Sequence, residues 1–482
     1  MWTISTSVGS RALTLVATLV LTRFLAKDVY GEVMVAQVVV LSAHMFTQFG
    51  LGIYVVAHPN AERRTVFHAT FYNLVTGALA IGAVVVLRDP IGRMTGAPNM
   101  GLFVPGLAIA CVMDRLAYMP ERILVRDLRF RLVSVQRSIG EVAYAGFAVG
   151  LAALHWGGIA IVVASLVRSF VKMVICVGAT QRRDWLELHR LNKSDSRDLF
   201  AFGLPLSIGM MAYFAASRWD NLIVSGIFGA SVAGAYNYAY NLADVPASNV
   251  GEQIGDVLLP SFAHLGEEQR KSALARAMTL LALLVFPLAI GLGAIGNTLT
   301  HAIFPPAWES VGPMLTVLSA LSITRPIAWV INSYLQAQKR TRPIMLLEIF
   351  KVILILVLIP TLGRFDPLWA CAMVGVTFGA HAFGSVWVVR RTDGIPMKSL
   401  LVPLVPPLLS CFVMVAAILA ARHGLSLGTR SAVFALVVEV TVGALAFIAA
   451  ALVLAKDASK DMLGLLRRSR ARSSVPPAHG AA

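Results

Sequence analysis

The chain has 482 residues, of which 57% are apolar and only 14% are charged, whereas soluble domains have about 25% charged residues. This composition excludes a soluble globular protein. It predicts an all-α polytopic membrane protein, because lipid requires each spanning segment to satisfy its own backbone groups. In a soluble protein the net charge of +16 would suggest nucleic acid as a partner. Here we attribute it to cytoplasmic loops, and no nucleic-acid partner is predicted.

About fourteen transmembrane helices are predicted from apolar windows of about 20 residues, the length that crosses a bilayer. Their approximate limits are 3–24, 32–57, 67–87, 101–119, 132–154, 157–179, 200–226, 234–262, 277–296, 311–336, 343–362, 367–389, 399–421 and 431–455. The spans at 32–57 and 234–262 are long and contain Gly or Pro, so we expect tilted or kinked helices there.

The positions of Lys and Arg predict the orientation. If both termini are cytoplasmic, the inner loops and the tail hold 26 of these residues and the outer loops hold 6, with Arg422 among the 6. This bias satisfies the positive-inside rule for a protein of the inner membrane. No outer loop is large enough for a catalytic domain. Cations in the tail can contact anionic lipids or remain solvated, and the solvated alternative is favoured.

Weak internal similarity suggests two repeats. Gly31 and Gly234 end similar links at an offset of 203, and the pair Ser10-Arg11 recurs as Ser217-Arg218. Such repeats are a common plan for transporters with a site between them. The predicted domains are a first six-helix bundle (1–180), a cytoplasmic linker (181–199), a second six-helix bundle (200–390), two peripheral transmembrane helices (391–455) and a basic, disordered tail (456–482).

Nine cations lie inside the predicted spans, where each costs roughly 2.5 to 3.5 kcal/mol unless it faces a partner or a wet cavity. They are Arg11, Arg23, Arg115, Arg137, Arg168, Lys172, Arg218, Arg325 and Lys351. Nine intramembrane cations predict a polar cavity that binds an anionic ligand.

Arg168 and Lys172 are four residues apart and share a helix face on a span without a carboxylate. Three interpretations are open: contact with a bound anion, an ion pair with a carboxylate of another span, or snorkelling to the interface. Contact with a bound anion is narrowly favoured. Arg11, Arg218 and Arg325 are each the single deep cation of a span. For each of them, lining a cavity and pairing with a carboxylate are equally favoured interpretations.

Other charges are predicted to be structural. Arg137 with Glu141 and Glu348 with Lys351 have the spacing of ion pairs within one helix. Arg115 lies near the end of a span, where snorkelling to the interface is expected.

Three acids, Asp244, Glu252 and Asp256, lie on the eighth predicted span. Glu252 and Asp256 are four residues apart, and two such acids in a low dielectric favour binding of a proton or a cation, as ion coupling requires. The alternative, slightly favoured, is that the buried acids neutralise the deep arginines.

Signatures of enzymes are absent from the sequence. It has no Walker loop, no HExxH and no convincing dinucleotide fingerprint. Its four cysteines lie in apolar segments without metal-ligand spacing. We therefore predict no catalytic residue, no metal and no cofactor.

Several ordered segments resemble a known family. They include Leu199-Phe-Ala-Phe-Gly-Leu-Pro-Leu-Ser207, Ser217-Arg-Trp-Asp-Asn-Leu-Ile-Val-Ser-Gly226, Val257-Leu-Leu-Pro-Ser-Phe262 and Leu128-Arg-Phe-Arg131. Over roughly residues 1–420 the chain resembles the polysaccharide transporter family (Wzx-like flippases) of the multidrug/oligosaccharidyl-lipid/polysaccharide exporter superfamily. Relatives of this family carry a cytoplasmic stretch before the first span. This chain lacks that stretch, so we expect a truncated or misassigned start.

The resemblance implies two six-helix bundles around a central cavity, followed by two peripheral helices. It implies flipping of an oligosaccharide linked to a polyprenyl diphosphate of the undecaprenyl type, driven by a cation gradient. Expected partners are this lipid-linked oligosaccharide, membrane lipids and polysaccharide polymerase machinery. We assign substrate binding to Arg11, Arg168, Lys172, Arg218 and Arg325, and coupling to Asp244, Glu252 and Asp256. The resemblance supports Arg11 and Arg218, whereas Arg168 and Lys172 are chosen on physical grounds alone.

The sequence disfavours three other functions. A drug or cation antiporter of the same superfamily is disfavoured because the predicted spans hold nine cations and six acids. A membrane glycan polymerase or ligase would need a large outer loop. A structural scaffold would not need so many charges inside its spans.

Overall fold

The computed structural model gives the structure of residues 16–58, 61–426, 431–462 and Gly464, without the side chains of residues 245–257, 260 and 426. Helices dominate these residues. They are α1 (Lys27–Phe46), α2 (Leu51–Ala57), α3 (Arg63–Val86), α4 (Arg88–Met94), α5 (Val104–Arg126), α6 (Phe130–Ala153), α7 (Ile159–Gly178), α8 (Lys193–Phe228), α9 (Ala230–His264), α10 (Glu267–Ile303), α11 (Val311–Leu321), α12 (Arg325–Ala337), α13 (Thr341–Thr361), α14 (Pro367–Asp393), α15 (Met397–Leu401), α16 (Val405–Ser426) and α17 (Ala432–Leu454).

Within the described residues, ten helical stretches are long and apolar enough to cross a membrane. Helices α5, α6 and α9 also lie at predicted spans; they are 23, 24 and 35 residues long and carry charged side chains in their interior. The chain is therefore a multi-pass helical membrane protein. Because most of the first predicted span lies outside the described residues, the count of fourteen stays a prediction.

The second predicted span is broken into two helices. α1 ends at Phe46 and α2 begins at Leu51, and Gly50 between them has a φ of +60°. A Cβ atom on Gly203 of α8 would lie only 2.0 Å from the Phe49 carbonyl oxygen, so the break packs directly against that helix. The kink expected at 32–57 is confirmed, and glycine is needed on both sides of the contact. By contrast, α9 runs unbroken from Ala230 to His264.

The described residues form two compact units. One takes in the residues up to Tyr238 together with Phe304–Ser310 and Glu348–Met373; the other takes in Ala239–Ile303, Val311–Leu347 and the residues from Val374 onward. In the first unit, apolar side chains of α2, α3 and α5 form a core around Leu51. In the second, α10 is central, and α11, α16 and α17 pack along it. The predicted division into bundles at 181–199 stays a prediction.

The predicted cytoplasmic linker is attached to α3. His68 is fully buried, and its Nε2 accepts a hydrogen bond from the backbone N–H of Asn192 at 3.1 Å. Its Nδ1 lies 3.5 Å from a carboxylate oxygen of Asp195. The Asn192 side chain caps α8 by accepting from the Ser194 N–H, so α8 begins at Lys193, inside the predicted linker.

The two repeat-related glycines meet at the start of α1 and α9. A Cβ on Gly31 would lie 1.9 Å from the carbonyl oxygen of Ala230, and a Cβ on Gly234 would lie 2.4 Å from that of Lys27. Lys27 and Ala230 are separated by the same offset of 203 as the glycines. The contact is thus symmetric, and it explains why both copies of the link end in glycine.

We predict that Gly31→Ala destabilises the protein. The added methyl group collides with backbone, which cannot rotate away, and overpacking of this kind costs about 1–3 kcal/mol. Thermal unfolding of the purified protein in detergent measures the effect. Gly146→Ala on α6 is the matched control, because nothing lies within 4 Å of its added Cβ. Equal unfolding temperatures for the two variants would contradict the prediction.

Candidate functional site

Six charged side chains of α5, α6 and α7 pair with one another in the first unit; we call them the charge ladder. They are Asp114, Glu121, Arg137, Glu141, Arg168 and Lys172. Helical spacing aligns them, because residues four or seven apart lie on one face, and the members on each helix have these separations. The three helices pack side by side, so these faces meet.

Lys172 contacts two carboxylates of the charge ladder. Its Nζ lies 3.0 Å from a carboxylate oxygen of Glu121 and 3.8 Å from one of Asp114. The Ser169 hydroxyl, three positions earlier on α7, donates to the other Asp114 oxygen at 3.0 Å. Both carboxylates lie on α5, so the ion pair is between spans.

Arg168 lies farther than Lys172 from the predicted cytoplasmic end of α7. Its guanidinium lies 3.6 Å from a carboxylate oxygen of Glu141 on α6, and 4.9 Å from the centre of the Tyr144 ring. Arg137 contacts Glu121 at 3.4 Å, a partner that its spacing to Glu141 did not predict. For Arg168 and Lys172 the observed partners are carboxylates of other spans. Contact with a substrate stays a prediction for both.

The ladder is accessible to solvent although it lies within the spans. The exposed fraction of the side chain is 42% for Arg168, 31% for Asp114 and 70% for Arg137. Such groups would cost several kcal/mol each in contact with lipid tails. Contact of this face of α5–α7 with an aqueous cavity stays a prediction.

Arg325 and Asp244 come together in the second unit. The Arg325 guanidinium, on α12, forms a salt bridge with the Asp244 carboxylate on α9. It also lies 4.3 Å from the ring centre of Phe378 and 5.0 Å from that of Tyr240, and lines a small cavity with Ser322. A predicted binding residue and a predicted coupling residue are therefore partners.

Arg218 and Asp220 lie in different environments on α8. Asp220 is fully buried and accepts hydrogen bonds from the Tyr236 hydroxyl at 2.5 Å and the Asn221 amide at 3.0 Å. The Asn237 amide donates in turn to Asn221 at 2.9 Å. Arg218 is exposed, and no salt bridge joins it to another described side chain. The structure thus leaves the Arg218 guanidinium accessible.

Three of the predicted site residues cannot be placed. Arg11 lies outside the described residues. Glu252 and Asp256 lie on α9, whose backbone is helical there, but their side chains are outside the described set. Their roles in binding and coupling stay predictions.

Arg115 does not snorkel, and that expectation is wrong. It is only 2% exposed, and its guanidinium donates to the carbonyl of His44 at 2.5 Å, to the Asn73 side chain at 2.7 Å and to the Thr47 hydroxyl. These acceptors surround the C-terminal end of α1, where carbonyl groups lack helical partners. Arg115 therefore stabilises the break after Phe46, a role that a cation near a broken span could have suggested.

Arg422 is not in an outer loop, so that assignment is also wrong. It lies on α16 and forms two hydrogen bonds of 2.9 Å with the carboxylate of Glu439 on α17. A third, of 2.7 Å, goes to the carbonyl oxygen of Ala294 on α10. The Thr298 hydroxyl donates to the same carboxylate at 3.0 Å. This pair, in which the Glu439 carboxylate is buried and Arg422 is 35% exposed, fixes the last two predicted spans to α10.

The local pair of Glu348 and Lys351 is confirmed. The Lys351 Nζ lies 2.6 Å from a Glu348 oxygen, and both side chains are buried. Lys351 thus has a carboxylate partner within its own helix, as the spacing predicts.

A multi-pass helical protein with partly exposed, paired charges inside its predicted spans is consistent with a membrane transporter. A family model described as polysaccharide biosynthesis protein matches residues 20–313. The chain belongs to this family, and the predicted resemblance to polysaccharide transporters is confirmed.

Individual relatives agree with this assignment. The chain is similar to the lipopolysaccharide biosynthesis protein WzxC of Escherichia coli K12, at 24% identity over 431 residues, which cover 88% of this chain and 81% of that protein. It is also similar to the succinoglycan biosynthesis transport protein ExoT of Rhizobium meliloti, at 23% identity over 98% of this chain and 96% of that protein.

A solved structure shows the fold. The inward closed conformation of the Lipid II flippase MurJ matches with a TM-score of 0.73 at 13% identity, covering 95% of this chain and 99% of that one. The all-α polytopic fold predicted from the sequence is confirmed.

We predict that Arg422→Ala destabilises the protein by about 3 kcal/mol, because it leaves the Glu439 carboxylate, which is only 1% exposed, without its charged partner. The double variant Arg422→Ala/Glu439→Gln removes that charge and should regain most of the loss. Thermal unfolding in detergent measures both. A stable Glu439→Gln variant with normal export would exclude Glu439 from ion coupling, whereas loss of export from a stable variant would contradict a structural role.

Proposed function

We propose that the protein is a flippase that moves a polyprenyl-diphosphate-linked oligosaccharide repeat unit across the bacterial inner membrane for cell-surface polysaccharide biosynthesis. Both termini lie in the cytoplasm. The family and the relatives concerned with lipopolysaccharide and succinoglycan support the kind of cargo. The observation that carries the proposal is the set of accessible charges within the spans, because lipid would not tolerate them without an aqueous route.

The diphosphate is the part of the cargo that is hardest to move through the membrane. Arg218 supplies an accessible guanidinium, which can hold phosphate oxygens in a bidentate manner. Arg11 occupies the corresponding position of the first repeat and serves the same purpose. The polyprenyl tail stays in the bilayer, and the undecaprenyl carrier and polymerase machinery are the partners of this step. The protein transports its substrate and does not modify it.

The Arg325–Asp244 pair offers a way to couple binding to an ion gradient. A diphosphate that approaches Arg325 competes with Asp244 for the same guanidinium. The released carboxylate, now without its cation, gains affinity for a proton or a sodium ion. Departure of the diphosphate restores the pair and releases the ion, so occupancy of the ion site follows occupancy of the substrate site. Glu252 and Asp256 follow Asp244 in the sequence of the same helix and are further candidates for ion coupling.

A deletion strain should accumulate single repeat units linked to undecaprenyl diphosphate on the cytoplasmic side, because polymerisation requires outward transfer. Mass spectrometry of the lipid extract and a glycosidase protection assay measure this. Plasmid-borne wild type should restore export, Arg218→Ala should not, and Arg218→Lys should do so in part, since it loses the bidentate fork. Arg93→Ala, at an exposed position in α4, is the control. Accumulation of multiple polymerised units would point to a later step.

Substitution of the acids on α9 should separate binding from coupling. We expect Glu252→Gln or Asp256→Asn to keep substrate binding but to slow transport and flatten its dependence on external pH or sodium, because one ion site is lost. Transport into proteoliposomes under imposed gradients provides the measurement, with Asp244→Asn tested in parallel. If all three variants show the wild-type ion dependence, coupling does not use α9.

A further inference from the structure

The charge ladder has no net charge. Its cations, Arg137, Arg168 and Lys172, are matched by the carboxylates of Asp114, Glu121 and Glu141. A diphosphate site needs an excess of positive charge, since each phosphate oxygen would otherwise be repelled by the neighbouring carboxylates. The ladder therefore suits a ligand that is itself close to neutral.

Pairs elsewhere in the chain show what a structural ion pair looks like here. Glu348 and Lys351 have side-chain exposures of 7% and 5%. In the Arg422–Glu439 pair, the carboxylate is 1% exposed and the guanidinium 35%, so in both pairs the carboxylate is buried. Among the ladder members, only Glu121 is comparably buried, at 9%. The other five are between 25% and 70% exposed. Exposed pairs are weak and exchange partners with ligands in water, whereas buried ones do not.

The charge ladder contains both hydrogen-bond donors and hydrogen-bond acceptors, spread along the axes of its helices. Asp114 and Glu121 are seven residues apart on α5, which is about 10 Å along the helix axis. Arg168 and Lys172 are about 6 Å apart in the same direction. A sugar presents hydroxyl groups that donate to carboxylates and accept from guanidinium and ammonium groups. Several hydroxyls of neighbouring sugar rings can thus be bound at once.

We propose that the charge ladder is the glycan subsite of the transporter, binding the hydroxyl groups of the oligosaccharide while Arg218 holds the diphosphate. This inference rests on the proposed flippase function. It assigns Glu141 and Arg168 to sugar recognition. It also explains why each ladder cation is accompanied by a carboxylate, which a site for the diphosphate would avoid.

The test compares two lipid substrates in proteoliposomes containing the full chain. One carries the complete repeat unit, and the other, from a strain lacking the later glycosyltransferases, carries only the first sugar on the same diphosphate. The double variant Glu141→Gln/Arg168→Gln removes two opposite charges together, so no unpaired charge remains. We expect it to flip the complete unit about tenfold more slowly, from loss of charged hydrogen bonds, and the single-sugar lipid at the wild-type rate.

Two controls make the result decisive. Arg218→Ala should slow both substrates, and Glu309→Gln, at an exposed outer position, should slow neither. Equal slowing of both substrates by the ladder variant, or wild-type rates for both, would overturn the glycan subsite. Failure of the wild-type protein to flip either lipid would instead reject the flippase function.

A direct binding measurement covers the case of a poorly folded variant. Released repeat-unit oligosaccharide, without lipid or phosphate, should raise the unfolding temperature of the wild-type protein in detergent. The ladder variant, if folded, should show no rise. The same rise in both proteins, or no rise in the wild type, would contradict sugar recognition at the ladder.

Discussion

The cost of a charge in hydrocarbon determines where the side chains of this protein are placed. Each intramembrane cation that the structure describes must either find a carboxylate, find backbone acceptors or face water. Lys351 uses the first solution, with Glu348 at 2.6 Å. Arg115 uses the second, and Arg218 the third. The first two solutions give the cations structural tasks, namely neutralising a carboxylate within one helix and stabilising a break, and the third leaves the Arg218 guanidinium exposed.

The break between α1 and α2 and the buried Arg115 stabilise each other. Ending α1 at Phe46 leaves carbonyl groups without helical partners within the spans, where no water compensates them. The Arg115 guanidinium supplies the missing donors, and the break in return supplies acceptors for a cation that could not otherwise be buried. Gly50 and Gly203 let the break lie against α8. The interruption and the charge are therefore stable only together.

The sequence was sufficient for the helices and for one local pair, Glu348 with Lys351, but not for partners on other helices, such as Glu121 for Arg137. Helices follow from apolar windows because lipid permits little else, and Glu348 with Lys351 follows from a separation of one turn. The partners of Lys172 and Arg325 depend on which helices pack together, and no pattern within one span contains that information. Arg422 was misassigned because its pairing with Glu439 draws it into a helix that its charge alone would have ended.

Exposure of the carboxylate, rather than the presence of a partner, separates the charges proposed to contact substrate from those assigned to the fold. Glu439 and Glu348 would have to be extracted from a closed environment before they could bind anything, at the full cost of separating a buried pair. Arg168 and Glu141 are 42% and 28% exposed, so in the proposed glycan subsite exchanging one another for sugar hydroxyls costs less than separating a buried pair. Asp244, a third exposed and bound to a nearly buried Arg325, lies between these extremes. This intermediate exposure fits the proposed coupling role, in which the pair opens when a diphosphate reaches Arg325.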